Sequence, residues 1–256
     1  MSQFNNRYAE SNLRTQQGVV DAGLRSYMLG VYNYMTLGVA LTGVVAYIIY
    51  TMMVTTDSSQ AAATLKDGTM LTQLGYLLMV SPLKWVVMLM PLLFILVMSF
   101  ARMSSANAQI VFWAFAAVMG VSISSTFVVF NLGSIFQIFF ITAAAFASLS
   151  LYGYTTKKDL SGLGSFLIMG LVGLFLAGIV NIFLQASALQ FAILVIGVLV
   201  FAGLTAYDTQ RIKDEYYLVA GDREAMAKAS IFGALTLYLD FVNMFMMLLQ
   251  LLGDRE

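Results

Sequence analysis

Beyond residue 28 the chain is written in long apolar runs separated by short polar breaks, and a helix needs roughly 20 residues to cross the hydrocarbon of a bilayer. Seven runs reach that length: Leu29 to Met53, Pro82 to Phe100, Ala106 to Val129, Ile135 to Tyr154, Leu163 to Leu184, Leu189 to Tyr207 and Ser230 to Leu252. Residues 191–205 alone would suit a buried strand, but the length of the run and the Gly197 and Gly203 that a membrane helix tolerates favour helix. The pattern predicts an all-α integral membrane protein with seven transmembrane helices over residues 29–256. Residues 1–28, where Arg7, Arg14 and Arg25 mix with Glu10 and Asp21, read as a polar, mobile tail ending in a short amphipathic lead-in, without a secretory signal. The long connection is TTDSSQAAATLKDGTMLTQLGYLLMV, whose second half is apolar enough to lie on or dip into the interface. The breaks at 131–134 and 185–187 are turn-sized, which makes the helices flanking each one antiparallel neighbours.

Composition strengthens this picture. Hydrophobic residues make up 60% of the chain and charged ones 10%, against about 25% charge in an ordinary soluble domain. The 13 basic and 13 acidic residues balance, so no basic surface exists for nucleic acid. Without Cys or His, cysteine nucleophiles, disulfides, haem ligation and the usual zinc sites are excluded. No tightly bound cofactor and no enzymatic activity are expected. Charge also orients the chain, because basic loops stay on the cytoplasmic side. With a cytoplasmic N-terminus, 10 of the 13 basic residues fall inside, and only Lys66, Lys84 and Arg255 fall outside. An N-inside, C-outside topology follows.

Most ionisable residues sit in the breaks, where a solvated face explains them. Asp240 does not, because LYLDFVNMFMMLLQ places it near the middle of the last run, where a lone carboxylate costs about 2.5 to 3.5 kcal/mol on insertion scales. Asp208, in LTAYDTQRIKDEYY, stands where the sixth run meets its basic end. Alone it reads as a helix-end residue, but an antiparallel hairpin brings the two carboxyls together if the sixth helix continues past Asp208. Asn243 shares the helix face of Asp240 and is a candidate supporting ligand. Arg102, in MSFARMSSANA, ends the second run on the same side as Asp208 and reads either as a positive-inside anchor or as a guanidinium that pairs a carboxylate.

AYDTQRIKDEYY, LTLYLDFVNMFMMLLQLLG and FWAFAAVMGVSISS together resemble the Bax inhibitor-1 family of membrane proteins in its bacterial branch. The resemblance covers all seven runs. It implies six helices around a central seventh, a bacterial inner-membrane location, and passage of calcium down its gradient in a pH-dependent manner. Asp208 and Asp240 match the family's paired-aspartate sensor, where they would also serve as the metal ligands along the ion path, and Arg102 matches the arginine that latches onto that pair. Calcium and protons are the implied partners beside the lipid bilayer. Two alternatives remain: a stress regulator that binds a membrane protease or another partner through its tail, and an intramembrane aspartyl protease. The latter places Tyr-Asp on a sixth helix too, but its Gly-x-Gly and Pro-Ala-Leu elements are missing, the only prolines being Pro82 and Pro91.

Overall fold

The fold is that of a computed structural model, which describes residues 2–65, 68–100 and 103–255, with side chains described from residue 22 on except at 99 and 100. Nine helices are described: α1 Ser2–Met53, α2 Gln73–Met79, α3 Leu83–Phe100, α4 Ser105–Ile123, α5 Thr126–Val129, α6 Leu132–Thr155, α7 Ser161–Leu184, α8 Ser187–Val219 and α9 Arg223–Leu252. Six stretches are long and apolar enough to cross a membrane, among them Ser105–Val129, which joins α4 to α5. The bent pair Gln73–Met79 and Leu83–Met98, angled at 66°, makes a seventh. The apolar side chains that the outer helices expose, such as Phe140, Phe175, Ile182 and Phe183, have only lipid to face. The chain is an all-α integral membrane protein.

α9 is the centre of the bundle. In its most apolar window 61% of residues are buried, against 11% to 39% in the other spans, and it packs on α1, α4, α6 and α8. The position suits a span that carries Tyr238 and Asp240, whose polar groups are buried against protein rather than exposed to lipid. Its start is fixed by Asp222, whose carboxylate accepts from the backbone N–H groups of Glu224 and Ala225. The turn from α8 closes at Gly221, whose φ of +108° lies in the left-handed region open to glycine. α1 runs alongside α9 in the same direction: Gly30 lies against Ser230, and Gly38 and Thr42 against Tyr238. Leu24 and Arg255 therefore stand at opposite ends of the bundle, as an odd number of crossings requires.

Several expected boundaries move. Residues 2–28, expected as a polar tail, continue α1 without a break, and Leu24, Tyr27 and Met28 are buried in the core. The side chains before residue 22 lie outside the described residues. The run from Ala106 to Val129 is interrupted at Ser124, whose hydroxyl donates to the Val121 carbonyl and to Met53 Sδ. The 54–81 connection forms three short strands, β1 Val54–Thr55, β2 Ala63–Thr64 and β3 Met70–Leu71, in the order β1-β3-β2. Both outer strands pair antiparallel to β3, Val54 and Ala63 each opposite Leu71. Its apolar second half becomes α2, capped by Thr72 and bent sharply against α3. Both turn-sized breaks are present, but only the second, which ends α7 at Gln185 with a φ of 50°, joins packed neighbours, α7 on α8; across the first, α6 turns away from α4 and packs on α8 and α9 instead.

The largest boundary change shapes the site. The sixth span does not stop at Tyr207: α8 continues to Val219, about 17 Å beyond Asp208 at 1.5 Å per residue. Three more turns of helix carry Asp208 into the bundle rather than leaving it at an edge.

Candidate functional site

α8 and α9 form the antiparallel hairpin on which both aspartates lie. Asp208 is 6% exposed and Asp240 4%, and their carboxyl groups are within hydrogen-bonding reach of each other. Asp208 Oδ1 also lies 3.3 Å from the Arg211 guanidinium, one helical turn on. Arg211 reaches outward, with a half-exposed side chain and its guanidinium over the Tyr207 ring. Asp240 Oδ2 is buried with no hydrogen-bond partner. Two carboxyls in contact either hold a proton between them or repel, and either a proton or a cation relieves that repulsion. The arrangement is thus suited to exchanging one for the other.

The helices around the pair are locked by polar threads. Ser150 on α6 shares hydrogen bonds with Tyr32 on α1 at 2.7 Å and with Thr209, the residue after Asp208, at 2.9 Å. On the other side, Thr42 of α1 bonds the Tyr238 hydroxyl at 2.6 Å and donates to the Ala116 carbonyl of α4 at 2.8 Å. α6 and α8 approach closely at Gly153, where a Cβ would overlap the Ala206 carbonyl oxygen. Gln210 bonds the Leu160 N–H and the Lys158 carbonyl, tying the α6–α7 turn to α8. Beside that turn Asp159 accepts from the N–H and hydroxyl of Ser161 at 2.8 and 2.6 Å, which holds its carboxyl below the usual carboxylate range. At the start of α9, Glu224 accepts from the backbone and hydroxyl of Ser105 and so ties α9 to α4.

The structure brings together two of the residues expected from sequence, Asp208 and Asp240. Arg102, expected as the latch, lies outside the described residues. Among those described, the charge paired with Asp208 is Arg211, which sequence reasoning had assigned to a cytoplasmic loop. The signal was present, since residues three apart on a helix meet, but it was hidden by ending the sixth helix at Tyr207. Asn243 gives its amide N–H to the Leu239 carbonyl at 2.8 Å, a bond to its own helix rather than to the Asp240 carboxyl. Among the described residues no group of three or more acidic side chains gathers to hold a metal ion, so the pair supplies two carboxylates and no more.

The family described as Inhibitor of apoptosis-promoting Bax1 matches residues 24–256, which take in all of the described spans but the first two residues of the first. A protein of Caulobacter vibrioides is 44% identical over the full length of both chains. Protein RP147 of Rickettsia prowazekii is 45% identical over 92% of each chain. The inner membrane protein YbhL of Escherichia coli is 40% identical over 92% of this chain and 94% of its own. With a family match over most of its length and relatives at this identity, the chain belongs to the Bax inhibitor-1 family of membrane proteins.

Proposed function

We propose that this protein is a calcium leak pathway of the bacterial inner membrane, gated by pH through the Asp208–Asp240 pair. One observation carries the reading: two buried carboxyls meet inside the bundle, and one oxygen of Asp240 has no partner. Such an oxygen costs about 1–3 kcal/mol if nothing ever satisfies it. A proton or a passing cation does so. The location draws on the relative named as an inner membrane protein, and the N-inside orientation on the excess of basic residues at that end.

Calcium takes six to eight oxygens, so backbone carbonyls and water must complete its shell around the two carboxylates. A site this sparse holds calcium weakly, which suits passage better than storage. Arg211 pairs with Asp208 one turn along the same helix, so it balances charge without tying α8 to a neighbour, and the hold that keeps the inner end of α8 closed falls to Arg102, which the family resemblance sets against the pair. Protonation weakens that hold and lets the hairpin loosen, while full protonation removes the charge that draws the cation. Neither step needs catalysis, and we assign the protein no enzymatic role.

Purified protein in liposomes loaded with a calcium dye tests the reading. Flux should rise as the pH falls from about 8 to about 6, because a pair that shares a proton couples its charge to pH. Asp208→Asn and Asp240→Asn should each abolish that dependence. A full pH response in the double variant would place the sensor elsewhere. No flux at any pH would favour the partner-binding regulator, and cleavage of a transmembrane peptide in the same vesicles would favour the protease.

A further inference from the structure

Between α1 and α6 runs a cleft of about 940 Å³, walled by residues from Arg25 to Ala40 on one side and from Phe139 to Tyr154 on the other, with Phe241 of α9 on its floor. It exists because the two helices are held apart by what they pack on: α1 on α4 and α9, α6 on α8 and α9. Each wall spans 15 residue steps, which makes the cleft about 22 Å long at 1.5 Å per residue. That exceeds one leaflet of a hydrocarbon core about 30 Å thick. Leu29 and Leu151 on its rim are half or more exposed, so it opens sideways, toward the apolar surface of the bundle.

The two ends of the cleft differ. One end is apolar, lined by Val39, Ala40, Phe139 and Ala143. The other carries Arg25 and Tyr154, and Lys213 is fixed there by donating its ammonium to the Tyr154 carbonyl at 3.0 Å. Arg25 is exposed and has no salt bridge among the described residues. An apolar slot of acyl-chain length with Arg25 at its mouth and Lys213 held on the backbone of Tyr154 beside it complements one kind of molecule. We propose that the α1–α6 cleft is a binding site for an anionic phospholipid of the surrounding bilayer, one acyl chain lying along the slot and the phosphate at Arg25 and Lys213. The polar floor contact is Tyr32 with Ser150, the thread that leads to Thr209 beside Asp208. The site stands whether or not calcium passes the aspartate pair.

Two phospholipid probes with the same diazirine-bearing acyl chain, one phosphatidylglycerol and one phosphatidylcholine, test it. Each is added at low mole fraction to phosphatidylcholine vesicles holding the full chain, and the labelled peptides are mapped by mass spectrometry. The phosphatidylglycerol probe should label the facing walls of α1 and α6 about fivefold more than its zwitterionic counterpart, the gain expected from a basic residue beside an anionic headgroup. Arg25→Gln should bring the two probes closer together and Arg25→Lys should restore the difference. Ala147→Phe, which fills the slot from an exposed position, should remove wall labelling by both. Thermal unfolding of each variant confirms that it is folded. Equal labelling by the two probes in the unaltered protein, labels spread evenly around the bundle, or a preference untouched by Arg25→Gln would each overturn the proposal.

Discussion

Asp240→Asn should make the protein more stable. The wild-type side chain is 4% exposed, has one oxygen without a partner, and faces a second carboxyl. An unsatisfied buried polar atom costs about 1–3 kcal/mol, and like charges in contact add to that. Asparagine keeps the volume, removes one of the two acidic groups and turns an N–H toward the Asp208 carboxylate. A gain of about 1–2 kcal/mol follows, which at about 2–4 °C per kcal/mol for a chain near this length raises the melting temperature by about 2–8 °C. Asp208→Asn should gain less, because it also gives up the contact with Arg211. That loss is small, about 0.2–1 kcal/mol, since the Arg211 side chain is 51% exposed. The double variant should gain no more than Asp240→Asn alone, because either change removes the same like-charge contact.

The assay is thermal unfolding in one detergent at near-neutral pH and one scan rate, since a membrane protein that unfolds irreversibly reports a rate-dependent midpoint. Trp85 and Trp113 supply the fluorescence, and thiol-reactive dyes are blind to a chain without cysteine. A melting temperature that falls by more than about 2 °C in Asp240→Asn would show that the pair is a structural hydrogen bond whose loss outweighs the relief of repulsion. Additive gains in the double variant would show that the two carboxyls do not share one site.

Arg102→Ala should raise calcium leak at neutral pH, and Asp208→Asn on top of it should change little, since both act through one contact, whereas Arg211→Gln, which breaks a pairing within α8 alone, should raise the leak less than Arg102→Ala does. A reporter that fluoresces only in the cytoplasm should stay dark when fused after Glu256, and a bright fusion with a cytoplasmic N-terminus would mean an even number of crossings. Gly153→Ala should cost about 1–3 kcal/mol by forcing α6 from α8, read as a lower melting temperature, whereas Gly173→Ala, with open space around its Cβ, should not. Asp159→Ala should lower the melting temperature at neutral pH. Because the folded carboxyl of Asp159 sits below its ordinary value of 3.8, its contribution is present above that pH and fades as the pH falls through the folded value, so wild type and variant should converge in strong acid.

Apolar run length made the spans legible, because in lipid a helix must satisfy its own backbone and be long enough to cross. The same criterion misjudged where helices end. α8 carries Arg211, Lys213, Asp214 and Glu215 in its last turns, so a hydropathy reading stops at Tyr207, while the hydrogen-bond ladder runs to Val219. α1 begins before its apolar run for the same reason, and Leu24, Tyr27 and Met28 find core partners although their neighbours in sequence are polar. The strands at 54–71 were not legible, since two-residue pairings leave no alternation to read. Asp240 stood out because a carboxylate in an apolar run has no cheap explanation. Asn243 matched it in spacing, but an asparagine one turn from a carbonyl has a local bond available, and it takes it.

The pair sits between two hydrogen-bond threads that end on the same helix. Tyr32 of α1 reaches Thr209, next to Asp208, through Ser150, and Thr42 of α1 reaches Tyr238, two residues before Asp240. The first thread belongs to α8 and the second to α9. The ten residue steps from Tyr32 to Thr42 are one uninterrupted stretch of α1, about 15 Å long at 1.5 Å per residue, and too stiff to absorb a relative shift of the two partners by bending. Separation of α8 from α9 at the aspartates must therefore carry α1 along with one of them or break a buried hydrogen bond to the other. The buried bond costs about 1–3 kcal/mol if its groups are left unsatisfied. That is comparable to what the unpartnered oxygen of Asp240 releases when it gains a proton or a cation, and so the closed bundle can yield to a change of a single charge at its centre.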